Sequence, residues 1–162
     1  MKKLIVVCLV VAIFSTAAVG NGSATEAFAL ADRVGEPNAR SFFLLSTSAG
    51  SYIIRHDGMG EVTSLKGMRR VFNLKLGGKG RIERVHFLEH EGDLFLLYEV
   101  HDASSEWAYL VRMEQKQRKS RWLTSLETVA VQPPVMQGDV VIVEEARIRK
   151  TDGRLLTSSK DL

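Results

Sequence analysis

Cysteine is almost missing from this chain. Its 162 residues contain one, Cys8, and it lies inside an N-terminal apolar run. Once that run is removed, the rest has no disulfide, no thiolate nucleophile, no Cys-ligated zinc or iron–sulfur site and no C-x-x-C-H haem attachment. Proline is scarce too, at 3 residues, and the composition excludes a collagen. Neither sign of charge dominates: 22 Lys and Arg stand against 19 Asp and Glu. No apolar run is long enough for a multi-span membrane protein. The motifs G-x-S-x-G, S-x-x-K, G-x-x-x-x-G-K and G-x-G-x-x-G do not occur. What remains is 45% hydrophobic and 25% charged, an ordinary globular composition, and the length predicts one domain. Apolar content on that scale also argues against wholesale disorder.

Residues 1–24 read as a secretory signal peptide. Lys2 and Lys3 form a positive start, Leu4 to Phe14 is unbroken and apolar, and small residues follow. Cleavage after Ala18, Gly20 or Ala24 would each leave a small residue at the cut. The protein is therefore expected to be exported, periplasmic or extracellular. Loss of Lys2 and Lys3 leaves 20 basic against 19 acidic residues, a balance of +1 that carries no nucleic-acid footprint.

Residues 25–40 read as a linker or a short helix. Thr25 would cap the helix, Glu26 would sit in its first turn, Phe28, Ala31 and Val34 would face inward, and Gly35 with Pro37 would end it. A loose tail is the other reading of this stretch. From residue 41 to 162 the period is two. Val85 and Phe87 alternate with Arg84 and His86; Trp107, Tyr109, Val111 and Met113 alternate with their neighbours; Phe72, Leu74 and Leu76 do the same. Phe42 to Leu45, Leu94 to Tyr98 and Val140 to Val143 are apolar on both faces, which predicts central strands covered on both sides. Turn signals separate the runs, and about ten strands of an all-β fold are expected.

The chain also repeats. Gly50, Gly92 and Gly138 each open a polar residue followed by an apolar strand, at separations of 42 and 46 residues. His56-Asp57 and His101-Asp102 follow the first two of these strands, 45 residues apart. Such a period with about four strands per unit is that of a propeller blade. The stretch Pro133-Pro134-Val135-Met136-Gln137-Gly138-Asp139-Val140-Val141-Ile142-Val143, followed by Ile148 and Thr151-Asp152-Gly153-Arg154-Leu155-Leu156, resembles a PQQ-type or WD40-like β-propeller repeat. Ile53 to Val62 is a weaker echo. The resemblance implies antiparallel propeller-like blades, about 2.8 of them, as an incomplete propeller or a repacked β-sandwich.

Three clusters are site candidates. His56, Asp57, His101 and Asp102 would lie at equivalent turns on one rim, where imidazole beside carboxylate suits a metal or acid–base chemistry. Asp is also simply a good turn residue. His86 and His90 have helical metal-ligand spacing, but the local alternation is that of a strand, which spreads them about 13 Å apart. Arg112, Lys116, Arg118, Lys119 and Arg121 crowd a predicted hairpin, where they would face an anionic partner or lipid head groups, or simply water. Gly77-Gly78-Lys79-Gly80 reads as an inter-blade turn, and Trp107 and Tyr109 as core. The sequence thus points to an exported, non-enzymatic binding or scaffolding module without a cofactor, contacting a protein partner or itself. No nucleic acid is expected, and membrane contact only through the leader or the basic loop. The alternative is an enzyme or a cofactor- or metal-binding propeller fragment with the His-Asp pairs on one rim.

Overall fold

The computed structural model describes residues 24–35, 42–55, 61–66, 69–73, 80–117 and 119–156. The expected signal peptide, His56, Asp57, Arg118 and the turns at 57–58 and 77–78 lie outside them, Ala24 apart. Among the described residues there are fifteen strands and no helix. The expected all-β class holds, with more and shorter strands than the alternation suggested.

Three antiparallel meanders of four strands make up most of the chain. The first is β4 (Phe42–Thr47), β5 (Gly50–Arg55), β6 (Glu61–Ser64) and β7 (Arg69–Asn73). The second is β8 (Arg81–His90), β9 (Asp93–His101), β10 (Glu106–Glu114) and β11 (Lys119–Leu126). The third is β12 (Val135–Gln137), β13 (Val140–Val143), β14 (Ala146–Arg149) and β15 (Leu155–Leu156). We call the sheets built on them I, II and III. None of the three closes on itself.

The short helix expected within residues 25–34 is not formed. In its place stand three very short strands, β1 (Thr25–Ala27), β2 (Ala29–Leu30) and β3 (Asp32–Val34). Each adds a fifth strand to a different sheet: β1 pairs with β12, β2 with β8 and β3 with β4. The segment therefore crosses the first strands of sheets III, II and I in that order. The residues at its two breaks are Phe28 and Ala31. Phe28 enters the core between sheets II and III, and Ala31 the core between sheets I and II. Their backbone N–H groups donate to the carbonyls of Pro134 and Val85 at 2.9 and 2.8 Å. The three-residue apolar spacing that suggests a helix is here the step from one sheet to the next.

Sheet II is the middle layer. On one face Leu94, Leu96, Tyr98 and Val100 pack against Phe43, Leu45, Tyr52 and Ile54 of sheet I. On the other, Phe95, Leu97, Ala108 and Leu110 pack against Met136, Val141, Val143 and Ile148 of sheet III. Strand β9 is buried on both faces, as its sequence predicts. Strands β4 and β13, equally apolar on both faces, behave differently. They belong to the end sheets, and only one face of each is buried: Phe42, Leu44, Val140 and Ile142 are half-exposed while their neighbours are buried.

The turns follow from local chemistry. Between His90 and Asp93, paired across the β8–β9 hairpin, Glu91 and Gly92 have φ of 51° and 80°. Two successive left-handed residues match the twist of the flanking strands, and glycine at the second makes the turn inexpensive. Gly153 is held more tightly. Its φ is 72°, and a Cβ there would come within 2.6 Å of the Trp122 ring and 2.8 Å of Thr124 Oγ1. Thr124 Oγ1 donates to the Gly153 carbonyl at 2.5 Å, and Trp122 Nε1 to the Lys150 carbonyl at 3.1 Å. Gly153→Ala is expected to cost about 3 kcal/mol, from the left-handed backbone and the ring displacement together. A urea unfolding curve checks this; an unchanged midpoint would mean that the 150–154 turn re-forms elsewhere.

Candidate functional site

The glycines of the sequence repeat lie in or beside the first hairpin turns of the three meanders. Around them the sheets splay and leave two clefts, one on each side of sheet II. The alternation of β8 sends Glu89 into one and His90 into the other.

The cleft between sheets I and II is about 390 Å³ and is lined by Ser48, Tyr52, Lys66, Glu89, Gln115 and Lys116. Glu89 is its centre. Ser48 donates to it from its hydroxyl at 2.5 Å and its backbone N–H at 2.8 Å, and Gln115 Nε2 donates at 2.9 Å. Burial works to raise the Glu89 pKa, but these three donors outweigh it and hold the carboxyl below its ordinary range. Tyr52 Oη closes the chain of bonds by donating to Gln115 Oε1 at 3.0 Å.

The cleft between sheets II and III is about 290 Å³. Lys150 Nζ lies 3.1 Å from Glu91 Oε2, 3.5 Å from Asp139 Oδ1 and 3.2 Å from His90 Nε2. An ammonium can only donate, so His90 Nε2 accepts and Nδ1 carries the proton. That Nδ1–H faces Glu26 Oε1 at 3.1 Å, which ties β1 to the rim. Burial pushes the Lys150 pKa down, and Glu91 and Asp139 together more than reverse it. Each cleft thus holds a polar network, centred on Glu89 in the first and on Lys150 in the second. Among the described residues no group of three or more His, Cys, Asp or Glu side chains is placed to hold a metal ion.

The sequence candidates separate on the fold. His101 and Asp102 stand at the β9–β10 turn with different partners: His101 Nδ1 lies 3.4 Å from Glu106, and Asp102 Oδ1 accepts the backbone N–H groups of Ser104 and Ser105, both at 2.8 Å. Those N–H groups, Ser104 first, lower the Asp102 pKa and make it a turn cap. The basic cluster divides as well. Arg112 turns inward, 2.5 Å from Asp93, and donates to the Lys150 carbonyl at 3.1 Å. Arg121 pairs with Glu114. Lys116 lines the first cleft, and Lys119 is exposed at the start of β11. His86 and His90 lie on one strand, as the alternation predicts, and bind different partners.

The feature that the sequence reading placed differently is the pair of end faces. On the outward face of sheet I, Leu44 and Ile53 pair across the β4–β5 hairpin, with Phe42 beside them. On the outward face of sheet III, Val135 and Ile142 pair across β12 and β13, with Val140 next in line. All six are half-exposed. The signal was the two-sided apolar runs, which sequence alone assigns to strands covered within the chain.

A scan of protein-family models, a search of curated proteins and a search of solved structures each found no match for this chain.

Proposed function

We propose that this chain is an exported, non-enzymatic binding or scaffolding module whose propeller-like stacked sheets contact a protein partner or another copy. The carrying observation is a cluster of half-buried apolar side chains on the outward face of each end sheet, Phe42, Leu44 and Ile53 on one and Val135, Val140 and Ile142 on the other, each flanked by arginines. An apolar cluster rimmed by polar residues and left partly open to water marks a contact surface. The leader supports export, and cleavage after Ala18, Gly20 or Ala24 would leave β1 whole.

A photo-crosslinking residue placed at position 53 or at position 142 in producing cells tests the reading. A discrete crosslinked protein band is expected from each, and none from the same residue at the exposed Asp152 turn. Absence of any band from both faces would overturn the contact-module reading.

A further inference from the structure

We propose that two copies of this chain close into one ring of six sheets, with the outward face of sheet I of each copy seated on the outward face of sheet III of the other. The proposal rests on the contact-module reading and names its partner as a second copy.

Strand register relates the faces of the three sheets. Count along the second strand of each sheet from the residue that follows the first hairpin turn, which is Gly50 in sheet I, Asp93 in sheet II and Val140 in sheet III. In sheet I the odd positions, Tyr52 and Ile54, face sheet II. In sheet II the even positions, Leu94, Leu96 and Tyr98, face back to sheet I, and the odd positions, Phe95 and Leu97, face sheet III. In sheet III the even positions, Val141 and Val143, face back to sheet II. One rule covers both interfaces: the odd face of each sheet packs on the even face of the next. Two faces are left over. They are the even face of sheet I, carrying Ile53 and next to it Arg55, and the odd face of sheet III, carrying Val140 and Ile142 with Arg149 and Arg147 paired beside them. These are the two halves of a third interface of the same kind.

The N-terminal segment obeys the same rule. Phe28 fills the gap between sheets III and II, and Ala31 the gap between II and I. Val34 comes three residues later, pairs with Phe42 on the unused face of sheet I, and is 39% exposed. It stands where the next gap would be.

The number of sheets selects the stoichiometry. Rings of four-stranded sheets typically hold about four to eight. The described residues of one chain form three sheets. Two copies offer about six, inside that range, and three copies about nine, outside it. A second copy also supplies both missing faces at once, so two equivalent interfaces form and no end face is left open.

Light scattering on the purified mature chain should give twice the chain mass. Ile53→Lys and Ile142→Lys should each halve that mass, because each spoils both interfaces of its own dimer. Their mixture should recover a dimer: a chain with a spoiled sheet I still carries an intact sheet III for the intact sheet I of the other. Self-pairing of like faces predicts the opposite, with only one of the two variants dissociating, and that result would overturn the ring. So would a wild-type chain that stays monomeric at about 100 µM, a concentration far above the dissociation constant of an ordinary specific interface; that measurement needs no variant to fold. If the crosslinks at 53 and 142 join this chain to a different protein, the contact module stands and the ring falls. If no crosslink forms, both fall.

Discussion

Phe28→Ala is expected to destabilise the fold by about 4 kcal/mol, the loss typical of a fully packed aromatic in a core. The residue belongs to a segment that reads from sequence as a linker or a short helix. In the fold its ring is 3% exposed, packed among Phe95, Leu97, Met136 and Val141 between two sheets. Flanking β1 and β2 are too short to hold themselves, so the ring anchors them as well as the core. Leu30→Ala is the matched control, since Leu30 lies two residues away and is exposed. Urea unfolding should separate the two variants by several-fold in free energy. Equal and small effects would show that the segment does not thread the sheets.

Arg84→Met is expected to cost about 3 kcal/mol, at the lower end for breaking a buried ion pair. Glu99 is fully buried, at 0% exposure, and holds Arg84 Nε at 2.5 Å and His86 Nε2 at 3.1 Å. Arg84 is 44% exposed, so its own charge is readily hydrated when alone. Glu99 is not hydrated, and the loss falls on it. Arg84→Met with Glu99→Leu should be less damaging than Arg84→Met alone, because no buried charge is then stranded. The pair also sets a pH dependence. Burial works to raise the Glu99 pKa, but His86 and Arg84 outweigh it and hold the carboxyl below its ordinary 4.5. A carboxyl lowered by folding contributes stability that is fully present above its unfolded pKa and is lost as pH falls through the folded one. Glu99→Gln should therefore be less stable than wild type at pH 7, and the gap should narrow as pH drops below about 4. A gap that stays constant with pH would refute the ionised pair.

The all-β class was legible because side-chain alternation is a local property, and β8 and β10 follow it. The glycine repeat did mark the first turn of each meander. It did not mark equivalent positions in those turns: Gly50 follows its turn, Gly92 is the second turn residue and Gly138 the first. Aligning the glycines therefore mismatches the faces of sheet II against those of sheets I and III, and only the pairing register restores them. Residues 25–34 were misread because Phe28, Ala31 and Val34 have helical spacing, and nothing local reveals that three sheets lie beneath them. The end faces were hidden for a related reason. A strand apolar on both sides reads alike whether its second cover comes from its own chain or from elsewhere.

The threading of the N-terminal segment has a consequence for the order of folding. Asp32 finds its partner Leu44 within a short loop, whereas Thr25 must wait for Gln137. Chains emerge from the ribosome N-terminus first, so the earliest strand of this fold is among the last to be paired. Long-range pairing of that kind is slow. A growing chain can collapse sheets I and II, but β1 has no neighbour until β12 has been made. The last cooperative step therefore waits for β12, and a chain cut short before residue 135 would leave β1 without its partner.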